Sequence, residues 1–131
     1  MSLVDANVVL RYILDDHPEL SSRAAEIIES HETVLPMEIA CEVVYVLQKV
    51  YQVPKEQIQA KLYGLLNEHL VLVEKPEVLK QALSIYWLKN LDFVDALLWA
   101  YHVVNQQRVF TFDNQLLKCL ELKSLELHGN E

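Results

Sequence analysis

Residues 92–113 have the sequence DFVDALLWAYHVVNQQRVFTFD, and the rest of the chain can be interpreted as the support of this stretch. Residues 96–107 contain no Asp, Glu, Lys or Arg. Their apolar side chains recur at helical spacing, which predicts a helix that is covered on most sides. Asp92 and Asp95 stand at its front, in the pattern of an N-cap residue and its N3 partner.

Residues 108–112, RVFTF, follow this helix and predict a short buried strand that ends at Asp113. Open α/β sheets place their chemistry at the carboxyl ends of strands and at the helix starts beside them. Asp95 and Asp113 occupy such positions. The stretch therefore predicts both an α/β fold and a functional site built from carboxylates.

The remaining chain predicts strands that alternate with helices, a pattern that indicates a mostly parallel sheet covered on both faces. Proline is well placed at helix starts, because its missing N–H group is not needed there. The further predicted strands begin at Ser2 and lead to Asp5, or span 33–35, 70–73 and 122–127. The further predicted helices span 7–14, 20–30, 36–51, 54–68, 76–89 and 114–120.

Length and composition limit the classes of protein to consider. The 131 residues suffice for a single domain, 1–131, with one core, and the 52% hydrophobic content predicts a globular chain. No segment approaches the roughly 18 apolar residues that a membrane span requires, and no signal-peptide pattern opens the chain. The net charge of −8 argues against a broad basic surface for nucleic acid, although it allows a local site in which metal ions bind phosphate.

Other chemical motifs are weak or missing. The only glycines are Gly64 and Gly129, so Gly-rich nucleotide-binding loops and nucleophile elbows cannot form. The five histidines show no zinc-binding spacing, and His102 is better explained as a core or surface residue. Cys41 and Cys119 lie in apolar helical contexts that favour reduced thiols, so we expect a cytoplasmic protein.

Four acids lie in apolar surroundings: Asp5, Glu42, Asp95 and Asp113. Buried carboxylates are costly to desolvate, and several in one place repel one another. A divalent cation such as Mg²⁺ or Mn²⁺ removes both costs and prefers oxygen ligands. Each acid taken alone is better explained as a turn or cap residue, Glu38 is a rival for the role of Glu42, and spacing alone does not show that the four meet.

These residues resemble the PIN-domain family, and most closely the VapC-type toxin ribonucleases of toxin–antitoxin pairs. Four ordered motifs carry the resemblance, which extends over essentially the whole chain. They are the first-strand motif LVDAN at 3–7, the helix motif EVVYVL at 42–47, the motif DFVDAL at 92–97 and the closing TFD at 111–113.

The resemblance implies a three-layer α/β/α sandwich around a central, mostly parallel sheet of four or five strands. It implies a Mg²⁺- or Mn²⁺-dependent endoribonuclease that forms homodimers and is inhibited by a cognate antitoxin. Asp5, Glu42, Asp95 and Asp113 would then hold the metal. Further residues near them would orient these carboxylates, contact them or contact RNA phosphate: Asn7, Thr111, Asp92 and Arg11, the last of which is equally well explained as an exposed helix arginine.

Two alternatives stay open on the sequence. One is a PIN-like scaffold or binding module without catalysis, which the loss of an acid would favour, yet all four acids are present. The other is a different acidic α/β phosphotransfer domain of the receiver type. That fold needs paired acids near the first strand and a lysine at a late strand end, where this chain has TFD at 111–113.

Apolar helix faces supply the expected interfaces. The high hydrophobic content predicts a homodimer, with two faces as candidates: Leu62, Leu65 and Leu66, or Val78, Leu79 and Leu83. The acidic site also predicts a partner peptide with an apolar helix and an Arg or Lys that replaces the charge of the metal. The helices around Val8–Leu14 and Ile39–Leu47 are the expected groove for it.

Overall fold

A computed structural model describes residues 1–122, which form seven helices and one two-stranded sheet. Most predicted helices are confirmed to within a few residues. The predicted edge strand at 122–127 lies, apart from its first residue, outside the described part of the chain. The elements are β1 (Ser2–Leu3), α1 (Ala6–Leu14), α2 (Pro18–Ser30), β2 (Thr33–Val34), α3 (Met37–Lys49), α4 (Lys55–Asn67), α5 (Pro76–Leu88), α6 (Phe93–Asn105) and α7 (Asn114–Leu120).

The sheet is smaller than predicted, although its parallel direction is confirmed. Strand β1 pairs with β2 in parallel, and α1 and α2 form the crossover between them. The strand predicted at 70–73 is reduced to one parallel bridge between Val34 and Leu72. Two backbone hydrogen bonds of 2.8 Å hold this bridge, from Leu35 N to the Leu72 carbonyl and from Leu72 N to the Thr33 carbonyl.

The strand predicted at 109–112 is wrong, because residues 106–113 have no regular secondary structure in the structure. Phe110 is 82% exposed and Phe112 is fully exposed, so the segment is not buried either. Apolar residues favour a strand only where a neighbouring strand offers backbone partners and a covering layer. Within residues 1–122, this segment pairs with no strand of the sheet.

The chain divides into two compact units, and the first is Met1–Pro76. Helix α1 packs on α2 and on α3, and α3 packs on α4. The Tyr12 hydroxyl donates a 2.9 Å hydrogen bond to Glu29 Oε2, which joins α1 to α2. Apolar side chains from all four helices form the core of this unit, including Val9, Leu10, Ala24, Ile28, Val43, Leu47, Ile58 and Leu62.

The second unit is Glu77–Glu131, of which residues 77–122 are described. Its core contains Tyr86 and Phe93, whose rings meet edge to face at 5.6 Å. Trp99 is completely buried, and its Nε1 donates a 2.7 Å hydrogen bond to the Cys119 carbonyl. This contact joins α6 to α7. The apolar stretch that predicted a covered helix is therefore confirmed at Ala96, Leu97, Trp99 and Ala100.

Both helix faces predicted for a dimer interface are buried within the single chain. Leu62, Leu65 and Leu66 are at most 6% exposed, and Val78, Leu79 and Leu83 are at most 1% exposed. Neither face is open to a second copy, so the prediction of these two interfaces is wrong. Apolar periodicity predicts that a helix face is buried. It does not show whether the chain's own core or a partner protein buries that face.

Two helices begin one residue later than predicted, each directly after a proline. Pro36 and Pro54 are the N-cap residues of α3 and α4 and have extended backbone, instead of being the first helical residues. Both rings leave the first-turn N–H groups of the helix unaffected. None of the helices in residues 1–122 combines the length and the apolar character needed to cross a membrane.

Candidate active site

Asp5 lies two residues after the end of β1 and is the N-cap of α1. Its Oδ1 accepts a 3.1 Å hydrogen bond from Val8 N, while the side chain remains exposed. A carboxylate has two oxygens with about four lone-pair positions, so a cap bond leaves it able to accept further contacts. Asp5 therefore lies near the end of the first strand, as predicted. It also caps a helix, which was the alternative explanation for an acid at this position.

Glu42 is exposed on α3, so the prediction that its apolar neighbours embed it is wrong. Val43 and Val44 beside it are buried. Successive residues of a helix point about 100° apart, so apolar neighbours in sequence do not cover the side chain between them. Glu38 is also exposed and lies one turn earlier. Helix α3 thus presents two carboxylates to solvent.

Arg11 is engaged within its own unit. Its Nη1 pairs with Asp16 Oδ1 at 2.7 Å, its Nη2 donates a 2.8 Å hydrogen bond to the Tyr51 hydroxyl oxygen, and the guanidinium carbon lies 5.8 Å from the centre of the Tyr51 ring. The hydrogen bond with Tyr51 is the largest reason why the pKa of Arg11 is raised. The Arg11 side chain is therefore fixed by Asp16 and Tyr51 and is not a solvated helix arginine.

A cleft of about 140 Å³ lies between α1 and α2. Asn7 and Arg11 line it from α1, and Arg23 lines it from α2 together with apolar side chains. The groove predicted for a partner peptide from Val8–Leu14 and Ile39–Leu47 stays a prediction, and the cleft differs from it in one wall. Val43, Val44 and Leu47 on α3 are buried in the core, so α2 takes the place of α3 as the second wall.

Asp92 occupies the N-cap position of α6, as predicted, but its side chain makes no capping hydrogen bond. The predicted capping pair of Asp92 and Asp95 is therefore wrong, because Asp92 lies at the cap position without the side-chain hydrogen bond that the pair requires. The negative charge of Asp92 acts on its neighbours instead. It contributes, after burial, to raising the pKa of Tyr86 to about 12, and it also raises the pKa of Asp95.

Asp95 is half-buried in the first turn of α6. Its pKa is raised, first because burial penalises the charged carboxylate, then because of the negative charge of Asp113, and then because of that of Asp92. An N-terminal helix turn favours a negative charge, and here burial and repulsion outweigh that effect. The negative charges of Asp92 and Asp113 therefore act on Asp95.

Asp113 is the N-cap of α7, and its Oδ1 accepts a 2.9 Å hydrogen bond from Leu116 N. Thr111 was predicted to orient a carboxylate. Its hydroxyl oxygen instead accepts a 3.0 Å hydrogen bond from the backbone N–H of Asp113. Thr111 thus fixes the backbone that carries Asp113, and the cap fixes the side chain. The predicted orienting role of Asn7, which is exposed on α1, stays a prediction.

The carboxylates fit the oxygen chemistry that Mg²⁺ and Mn²⁺ prefer. Within residues 1–122, no three or more His, Cys, Asp and Glu side chains are grouped so as to hold a metal ion. Mg²⁺ commonly binds through one or two carboxylates, with water and phosphate oxygens completing its shell. Asp95 and Asp113 are two carboxylates that interact electrostatically, since the negative charge of Asp113 raises the pKa of Asp95 after the larger effect of burial.

Two contacts that shape these surroundings were missed by the sequence analysis. Tyr51, the partner of Arg11, lies 40 residues away along the chain, and Cys119, the partner of Trp99, lies 20 residues away. The apolar composition of residues 96–107 predicted a covered helix, but no pattern indicates which backbone carbonyl the N–H group of Trp99 meets. A buried indole N–H group requires some acceptor, and that requirement was the only available signal.

Comparison with protein families gives one match, to the family described as PIN domain, over residues 2–119. Comparisons with curated proteins and with solved structures gave no significant match. The family match spans both compact units and all four acids of the sequence analysis. The chain therefore belongs to the PIN-domain family, which has an α/β fold and whose members are typically metal-dependent nucleases.

Proposed function

We propose that this PIN domain is a Mg²⁺- or Mn²⁺-dependent endoribonuclease, and that it is the toxin of a toxin–antitoxin pair of the VapC type. Its substrate is RNA, and its reaction is hydrolysis of a phosphodiester bond. The proposed metal ligands and catalytic residues are Asp5, Glu42, Asp95 and Asp113.

The observation that carries the proposal is the state of Asp95. A carboxylate whose pKa is raised first by burial and then by the charges of two neighbouring carboxylates is unfavourable in the metal-free protein. A structural acid gains nothing from such surroundings, whereas a metal ligand gains the full attraction of a divalent cation. Perturbed acids of this kind concentrate at functional sites. In a nuclease family, this pattern supports a metal-binding role for Asp95 and Asp113.

When bound, a divalent ion polarises a phosphodiester and lowers the pKa of a water molecule, which then acts as the nucleophile. The protein supplies the positions of its carboxylates. The cap bonds hold Asp5 and Asp113 through their Oδ1 atoms. Asp95, whose pKa is raised, is the residue we propose to accept a proton from an attacking water.

The proposed protein partners are a cognate antitoxin and a second copy of the chain. The cleft between α1 and α2 supports the former, since it combines apolar walls with polar side chains at its edge. The homodimer requires a surface other than the two buried leucine-rich faces. Co-expression with the product of a small neighbouring reading frame tests the antitoxin, and we expect a stable complex that suppresses RNA cleavage.

A PIN-domain scaffold without catalysis is the competing function. It has the same fold, so only the acids and the reaction distinguish the two. A scaffold predicts no metal-dependent cleavage and no special cost of changing any one acid. The nuclease predicts that cleavage depends on particular carboxylates, and α3 offers a matched pair for this test.

Glu42→Gln and Glu38→Gln each remove one exposed carboxylate from α3. The proposal predicts that Glu42→Gln lowers cleavage of a long RNA by about 10²-fold or more, and that Glu38→Gln leaves it within about threefold of wild type. The reverse result would transfer the role to Glu38. Equal, small effects of both substitutions would contradict the assignment of a helix α3 acid to the site.

A further inference from the structure

Two phenylalanines that stand just before Asp113 are exposed to an unusual degree. Phe110 is 82% exposed and Phe112 is fully exposed, compared with 42% for Trp87 on α5 in the same unit. A phenylalanine ring has no polar atom, so leaving two of them in water forgoes the free energy of their burial. Neighbouring exposed rings of this kind mark a binding surface more often than isolated exposed residues do.

A cation accompanies these rings. The guanidinium carbon of Arg108 lies 4.8 Å from the centre of the Phe110 ring, within the range of a cation–π contact. Phe110 remains mostly exposed with this contact in place, so the ring still offers open surface. A chain with net charge −8 therefore presents a local positive group directly beside the open ring of Phe110, two residues before the exposed Phe112.

The segment is fixed at the end nearest the proposed catalytic acid. The Thr111 hydroxyl accepts a hydrogen bond from Asp113 N, and Asp113 Oδ1 caps α7. Phe112 is the residue that immediately precedes Asp113. A ligand held on these rings is therefore delivered next to a carboxylate that the proposed function assigns to the reaction.

We propose that Phe110 and Phe112 are a stacking surface for the bases of single-stranded RNA, and that Arg108 contacts the adjoining phosphate. The inference rests on the proposed nuclease function and names the form of its substrate. Every base has a π-face, so stacking tolerates any sequence, and aromatic rings interleaved with cations are the usual means of holding single strands. In a duplex, the bases stack on one another and cannot reach the rings.

Binding can be measured apart from cleavage. The full chain carrying Asp95→Asn is titrated in EDTA into a fluorescein-labelled single-stranded RNA and into the corresponding RNA duplex, at one fixed salt concentration. The test variant adds Phe110→Ala and Phe112→Ala to this background. The control adds Trp87→Ala, which removes a partly exposed aromatic side chain of α5 in the same unit and leaves residues 106–113 unchanged. A third variant adds Arg108→Gln. Circular dichroism verifies that each variant is folded.

Loss of both rings is expected to raise the Kd for the single strand at least about tenfold, because stacking on one ring changes Kd by about 5- to 150-fold. Trp87→Ala should leave Kd within twofold of the parent. Arg108→Gln should weaken binding and reduce its salt dependence. The duplex should bind more weakly than the single strand and should not respond to the loss of the rings.

Equal single-strand Kd values for the parent and the double-ring variant would overturn the inference. A variant that loses self-association by light scattering, with RNA affinity unchanged, would also overturn it, since the rings would then be a protein contact. If wild type cleaves RNA and the double-ring variant binds and cleaves equally well, the stacking surface fails and the nuclease stands. If binding depends on the rings but no metal-dependent cleavage occurs, the stacking surface stands and the nuclease fails.

Discussion

The indole Nε1 of Trp99 donates a 2.7 Å hydrogen bond to the backbone carbonyl of Cys119 in the last turn of α7. Trp99 is completely buried, and Cys119 is 5% exposed, so water does not compete for this bond. This bond joins α6, whose first turn contains Asp95, to α7, which Asp113 caps. The electrostatic influence of Asp113 on Asp95 depends on this packing of α6 against α7.

Trp99→Phe is therefore expected to lower the free energy of unfolding by about 1–3 kcal/mol, because it leaves a buried carbonyl without its donor, with a further loss from the smaller ring. Urea denaturation of the full chain measures the change. Trp87→Phe is the matched control, since Trp87 is 42% exposed, and its effect should stay within about 0.5 kcal/mol. Equal effects of the two substitutions would show that the buried bond contributes nothing specific.

Gly64 lies inside α4, and a Cβ added there meets no atom within 4 Å. Glycine in a helix interior is less favourable than alanine by roughly 0.5–1 kcal/mol. We expect Gly64→Ala to stabilise the protein by about this amount. Ala60→Gly, at an exposed position one turn earlier in the same helix, should destabilise it by a similar amount. Destabilisation by Gly64→Ala in thermal or urea unfolding would contradict the open space beside α4.

Asp95→Asn is expected to raise the stability of the metal-free protein, because it removes one of the charges that repel one another in unit 2 while keeping the shape of the side chain. With Mg²⁺ or Mn²⁺ the order should reverse, since the wild type gains about 2.7 kcal/mol at a metal concentration of about 100 times Kd and the variant gains less. Melting both proteins in EDTA and in Mn²⁺ measures this. Equal metal-induced shifts would remove Asp95 from the metal ligands.

Because the pKa of Asp95 is raised, the difference in stability between wild type and Asp95→Asn is expected to depend on pH. Because its pKa is raised above the ordinary 3.8 in the folded protein, Asp95 contributes most to stability below pH 3.8, where both states are protonated. That contribution is lost as pH rises through the folded pKa. Without metal, the advantage of Asp95→Asn should therefore be smallest at about pH 3 and grow to a plateau above the folded pKa. A difference that does not change with pH would contradict the repulsion.

Helices could be predicted from the sequence because their signals are local. Three local signals act within one or two turns: the apolar periodicity, the prolines before α3 and α4 and at the first position of α5, and the acids that precede α1 and α7. Strands could not be placed equally well, since a strand exists only beside a partner that lies far along the chain. Val109–Phe112 has the apolar composition of a strand and lacks that partner among residues 1–122.

For the candidate site, the sequence predicted where residues lie along the helices better than it predicted the burial and contacts of their side chains. Asp5 follows β1 and caps α1, and Asp113 caps α7 although the strand predicted before it is not formed. Asp95 is half-buried, and the charges of Asp92 and Asp113 act on it. The burial of Glu42 was wrong, because apolar neighbours in sequence point to another face of the helix. The state of Arg11 was missed, because Tyr51 approaches it only through tertiary packing.

Cleavage of a long RNA by the purified full chain tests the central claim most directly. Wild type and Asp95→Asn are each incubated with the RNA in Mn²⁺, in Mg²⁺ and in EDTA, and the products are resolved on a denaturing gel. The proposed nuclease predicts internal cleavage by wild type with either metal, none in EDTA, and a rate about 10²–10³-fold lower for Asp95→Asn. Cleavage that persists in EDTA, or that proceeds equally with Asp95→Asn, would contradict it, as would intact RNA under all three conditions.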